Sequence, residues 1–152
     1  MIKEIQNKEQ KRNIANIVLT NLIEWFEIEE YRNDYINKSG DLPFFAAYMN
    51  DQPVGFITAK ETSKYACELY CMGVLKEHHQ KGFGQDLYNA MEQYAIERGY
   101  KFIQVKTVKQ GIYESYDKTN MFYQAMGFYE LEVFDTLWDE HNPCQVFVKS
   151  LV

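Results

Sequence analysis

The stretch Glu68–Gly84, ELYCMGVLKEHHQKGFG, holds two patterns end to end. Its first half, through Val74, is a short apolar run of the kind that fills a buried strand. Its second half is polar, ends in Gly82 and Gly84, and leads directly into a helical pattern. Glycines at a helix start let the backbone approach a ligand closely. The first N–H groups of a helix have no partner within it and sit at the positive end of its dipole, so such a start is suited to phosphate. Lys81 adds positive charge, and His78, His79 and Gln80 add hydrogen-bond donors. The loop lacks the GxxxxGK[ST] of a P-loop, and Leu87 stands where a dinucleotide fingerprint needs its third glycine. A purely structural tight turn would use the same two glycines.

Downstream, Leu87, Met91, Tyr94 and Ala95 mark the buried face of a helix over 83–98, with Gly99 as its stop. Lys101 to Val108 reads as a strand. Strand, glycine-bearing loop, helix and strand in that order predict a parallel pair joined by a right-handed crossover. Upstream, Met1 to Ile5 alternates weakly, as an edge strand does. Residues 8–25 give a helix whose stripe is Ile14, Ile17, Val18, Leu22 and Trp25. A second, acidic helix is expected over 28–38. The period then changes to two: Pro43–Met49 and Val54–Ala59 form a hairpin about Asn50-Asp51-Gln52-Pro53, and Cys67–Val74 follows as a third strand. A short helix near 119–126 closes at Gly127, and 128–137 and 145–151 are the last strands, linked by Trp138–Pro143. The reading is one α/β domain over residues 1–152.

The 152 residues and 46% apolar content suit a packed core rather than disorder. A net charge of −6 is a poor match for a nucleic-acid backbone. No stretch reaches the length of a membrane span, and MIKEIQNKEQKRN lacks the apolar centre of a signal peptide. Cys67, Cys71 and Cys144 form no CxxC pair and read as free thiols of a cytoplasmic protein. Cys71 lies in an apolar strand, where cysteine behaves as a small hydrophobe. His78, His79 and His141 have no Cys or carboxylate at ligand spacing, so no metal is expected.

The segment His79-Gln80-Lys81-Gly82-Phe83-Gly84 resembles the acetyl-coenzyme A motif, [Q/R]xxGx[G/A], of the GNAT superfamily of N-acetyltransferases, with His79 at the Gln/Arg position. A second segment, Tyr116 to Phe128, resembles the family's NxxAxxLYxxxGF. Phe122, Tyr123, Gly127 and Phe128 fit it, while Tyr116 and Thr119 stand where Asn and Ala are usual. The resemblance covers roughly residues 40–150. It implies a mixed, mostly antiparallel sheet of six to seven strands, a central parallel pair splayed at the cofactor site, and helices on both faces.

It also implies roles. Residues 79–84 would hold the pyrophosphate of acetyl-CoA, and Met72, Gly73 and Val74 would offer backbone groups to its pantetheine arm. Thr119 and Phe122 would line the cofactor. Tyr123 would protonate the departing thiolate: a phenol near pKa 10 can serve a thiol near 8.5. Glu68, 14 residues before Gly82, has the offset of the catalytic glutamate in the family's histone acetyltransferases and would deprotonate the amine. By strand alternation it shares a face with Tyr70 and Met72. Glu24, Glu27 and His141 are other candidates for the base, and a water relay is a further one. The expected activity is transfer of an acetyl group to a primary amine of a small molecule or peptide, by direct attack in a ternary complex. The alternatives are a non-catalytic acyl-CoA sensor or interaction module, and an acyltransferase with an oxygen acceptor. Glu24, Glu27, Glu29, Glu30 and Asp34 would suit a cationic acceptor, and the 12 Tyr and 10 Phe an aromatic-lined slot. A homodimer through the final strands is compatible with the chain.

Overall fold

The computed structural model describes residues 1–152. Its elements, in chain order, are β1 (Ile2–Glu4), α1 (Lys8–Asn21), α2 (Glu29–Ser39), β2 (Phe44–Met49), β3 (Gln52–Glu61), β4 (Ala66–Val74), α3 (Phe83–Glu97), β5 (Phe102–Val108), α4 (Glu114–Ala125), β6 (Tyr129–Asp139) and β7 (Asn142–Ser150). One 3-10 turn, Lys76–His78, precedes α3. The strands form a seven-stranded sheet of order β1-β2-β3-β4-β5-β7-β6. The expected parallel pair is β4 with β5, in register over Ala66↔Phe102, Cys67↔Ile103 and Glu68↔Gln104. The fold is therefore the mixed α/β sheet with four helices that the sequence implied.

The chain divides into two compact units. The first comprises Met1–Lys60 and Leu69–Arg98. Its β2–β3 turn is made by Asn50 and Asp51, both at positive φ, 52° and 65°. That pair of left-handed residues gives a tight hairpin, and Asn and Asp tolerate it best after glycine. On one sheet face, Ile14, Ala15, Val18 and Leu19 of α1 pack on Phe44, Ala46, Phe56 and Cys71. Phe44 and Phe56 stack at 5.1 Å. On the other face α3 brings Leu87, Tyr88, Met91 and Ala95, all buried, and Tyr94 meets Phe45 edge-on at 5.8 Å.

The second unit comprises Glu61–Glu68 and Gly99–Val152. Val105 pairs with Phe147 and Val108 with Cys144 in the β5–β7 ladder. Helix α4 lies over this ladder, with Tyr123 against Phe128 at 6.0 Å and Phe147 at 6.1 Å. Strand β6 is the sheet edge, with Tyr129, Leu131 and Leu137 more than half exposed.

Some details differ from the sequence reading. Helix α1 stops at Asn21 rather than 25, because Asn21 turns its side chain to accept from Lys76 N at 3.0 Å. Ile17 is 42% exposed and leaves the stripe, which takes in the buried Lys11 instead; its ammonium donates to Leu42 O at 2.7 Å. Helix α4 begins at Glu114, five residues early, where Glu114 and Asp117 supply negative charge to its first turn. The connection at 138–143 is shorter than expected: β6 runs to Asp139 and β7 starts at Asn142. Asp139 accepts from His141 N there at 2.8 Å.

Candidate functional site

The loop between β4 and α3, residues 75–82, lies wholly in the first unit. Strand β4 ends at Val74, the 3-10 turn follows, and the chain then crosses into α3 through Gln80 and Gly82, at φ +61° and +88°. Two left-handed residues this close together make a sharp turn into the helix, and turns of this kind are where backbone anion-binding concavities form. Gly82 is the N-cap of α3, with no side chain closing the helix end. A Cβ at Gly82 would meet no atom within 4 Å. The start of α3 is therefore neither capped nor crowded by a protein side chain at Gly82, as a helix start that receives a phosphate must be. Gln80 carries the cost instead. A side chain in the left-handed region loses about 1–2 kcal/mol relative to glycine.

His79 does not point outward from this loop. Its Nε2 lies 2.6 Å from Val74 O, and its ring meets Trp25 edge-on at 6.0 Å. His78 goes the other way and packs edge-on against Phe83 at 5.9 Å. The histidine pair is thus used to fold the loop onto the end of β4. Gln80 and Lys81 are exposed, Phe83 and Gly84 half-buried.

Gly73 has a packing reason for being glycine. A Cβ there would lie 2.7 Å from Leu22 and 2.9 Å from Val18 of the α1 segment. Helix α1 therefore sits directly on β4 between Met72 and Val74, the residues expected to face the pantetheine arm.

In the second unit, Glu68 is buried, with Lys106 Nζ 3.3 Å from its Oε1. The sequence reading did not single out Lys106; the signal available was a lysine within the otherwise largely apolar Phe102–Val108 run. Gln104 and Lys106 share one face of β5, and Glu68 pairs in register with Gln104. Val105 shares the other face with its partner Phe147, against which Tyr123 packs. The structure therefore does not bring Glu68 and Tyr123 together: they stand on opposite faces of the sheet.

Helix α4 is pinned by a residue to which the sequence reading gave no role. Asn120 is 1% exposed, and its Nδ2 donates to Val108 O at 2.9 Å and Tyr116 O at 2.7 Å. One turn on, Tyr123 is buried with Phe122 edge-on at 5.7 Å. Thr119 turns its hydroxyl back to Ser115 O at 3.2 Å. Lys149 closes the end of α4, donating to Met126 O at 2.8 Å.

All three cysteines are free and buried. Burial pushes the thiols of Cys67 and Cys144 up to about 11 and that of Cys71 further still. None is a thiolate at neutral pH. No group of three or more His, Cys, Asp or Glu side chains is placed to hold a metal ion.

A parallel β4–β5 pair, with an unblocked helix start after β4 and a tyrosine-bearing helix after β5, is the geometry on which family membership turns. The model of the Acetyltransferase (GNAT) family matches residues 12–128. The chain belongs to this family. Among solved GNAT-fold structures, a putative acetyltransferase of the GNAT family from Desulfovibrio desulfuricans has a TM-score of 0.85 at 15% identity, covering 100% of this chain and 99% of that one. An aminoglycoside 6'-N-acetyltransferase complexed with coenzyme A has a TM-score of 0.75 at 20% identity, covering 100% and 97%. A GNAT family acetyltransferase from Elizabethkingia anophelis with acetyl-CoA bound has a TM-score of 0.69 at 15% identity, covering 86% and 88%. At these identities the likeness is one of fold. Comparison with curated protein sequences gives no match.

Proposed function

We propose that this GNAT-family chain is an acetyl-CoA-dependent N-acetyltransferase acting on a primary amine by direct attack. The observation that carries the reading is the start of α3 at Gly82, which no side chain caps and where an added Cβ would meet no atom within 4 Å, next to the exposed Lys81. Residues 79–84 would take the pyrophosphate of acetyl-CoA, which when bound supplies the activated acetyl group. Met72 and Val74 would hydrogen-bond the pantetheine arm through their backbones. His79 already occupies one lone pair of the Val74 carbonyl, so the arm would use the other lone pair or the N–H.

Direct attack is favoured over an acyl-enzyme because every cysteine is a buried thiol whose ionisation burial opposes. An amine of pKa about 10 is charged at neutral pH and must lose a proton before it can attack. Glu68 would accept that proton, with Lys106 fixing the orientation of its carboxylate. Tyr123 would deliver a proton to the leaving thiolate. The two roles are separate proton transfers, one from the amine before it attacks and one to the thiolate as the tetrahedral intermediate breaks down.

The test is thiol release from acetyl-CoA across a panel of amines and matched alcohols. The reading expects release with amines only. Release with alcohols would make the acceptor atom oxygen. Tight acetyl-CoA binding without release would make the chain a sensor or interaction module.

A further inference from the structure

We infer that the acceptor is an amine with a flat apolar body next to its ammonium, of the arylalkylamine class, held on an aromatic chain in the first unit; this rests on the transferase reading above. Phe26 meets Tyr35 edge-on at 5.8 Å, and Tyr35 meets Tyr70 at 5.2 Å with the rings tilted by 56°. All three rings are half-buried and rest on the apolar core, so each is held in place while part of it stays open. The chain ends on β4: Tyr70 stands two residues before Met72, on the strand that leads to the donor loop.

Two further observations tie this surface to a ligand of that chemistry. The first is a cation–π contact within the chain: Lys60 Nζ lies 5.5 Å from the Tyr70 ring centre, so this ring face accepts an ammonium. The second is the clamp between the segment carrying Trp25 and Phe26 and the donor loop. Asn21 accepts from Lys76 N at 3.0 Å, Glu24 pairs with Lys76 Nζ at 2.6 Å, and Trp25 meets His79. The aromatic chain is thereby fixed at the loop that would hold the donor. Charge agrees: Glu27, Glu29 and Glu30 are exposed on the adjoining segment. The one nearby guanidinium, Arg32, donates to Phe26 O at 2.9 Å and holds the segment's shape. A flat ring adds one more edge-to-face partner to the series.

The experiment compares kcat/KM for 2-phenylethylamine and butylamine at saturating acetyl-CoA. The wild-type chain is expected to prefer the aryl amine by about tenfold. Tyr70→Leu should bring the ratio close to one with the Kd for acetyl-CoA unchanged, and Tyr70→Phe should restore it. Lys60→Met, on the surface, should raise the ratio by clearing the ring face. If Tyr70→Leu does not fold, as read by circular dichroism, Lys60→Met decides alone, and an unchanged ratio overturns the inference. Equal use of the two amines by the wild-type chain overturns the inference while leaving the transferase reading standing. Release with neither amine, nor any other, despite acetyl-CoA binding overturns both.

Discussion

At the scale of single residues, the glycines of the quoted stretch separate into different jobs. Gly82 has open space at its Cβ position but a φ of +88°, so an added side chain is opposed by backbone conformation rather than by crowding. Gly82→Ala should therefore cost about 1–2 kcal/mol of stability. Gly82→Asp adds a negative charge where phosphate would sit, and should weaken acetyl-CoA binding by about 100-fold or more in calorimetry. Equal affinity in the Asp variant would remove the loop from donor binding. Gly73 is the reverse case: its Cβ would collide with Leu22 and Val18. Gly73→Ala should lower the urea midpoint by an amount worth about 1–3 kcal/mol; an unchanged midpoint would mean that α1 does not sit tightly on β4. Sequence made both glycines visible but could not separate them, because the neighbours that crowd Gly73 come from a helix about fifty residues away. Lys106 was hidden for the same reason. Its partner Glu68 becomes its neighbour only through the parallel register of β4 and β5.

At the scale of elements, the β2–β3 hairpin and α3 were legible because their periods are clean and their ends carry Asn-Asp or glycine. Where side chains make unusual local bonds, the pattern misled. The side chain of Asn21, the last residue of α1, accepts from Lys76 N, and α1 ends four residues before its apolar stripe does. Helix α4 was read short because its first two turns hold few apolar residues and are fixed instead by Asn120, whose amide bridges α4 to the end of β5. Asn120→Ala would remove the side-chain donor to the buried Val108 carbonyl and should cost about 1–3 kcal/mol. Because Tyr123 lies one turn further on, turnover should fall with it while the Kd for acetyl-CoA holds. Full turnover in a stably folded Asn120→Ala chain would show that α4 needs no such anchor.

Across the whole molecule, the buried thiols set a pH dependence of stability. Cys67 and Cys144 are raised to about 11 in the folded chain, against about 8.5 for an exposed thiol. The unfolded chain therefore loses these protons first. Stability from this source is complete below about pH 8.5 and is lost as pH rises toward 11. Thermal melts of the Cys67→Ala, Cys144→Ala double variant should start lower than wild type but fall less steeply over that range; parallel curves would contradict the assignment. The fold was thus readable from local pattern. The acceptor was not, because its proposed wall joins Phe26, Tyr35 and Tyr70 from three separate elements. The most direct test of the central claim follows the acetyl group itself. Acetyl-CoA labelled with carbon-13 in the acetyl carbonyl is incubated with the chain and an amine acceptor and observed by NMR. The account predicts that the label moves from the thioester to an amide resonance, and that Gly82→Asp abolishes the transfer. A thioester signal that binding perturbs but time does not convert, with any amine supplied, would contradict it.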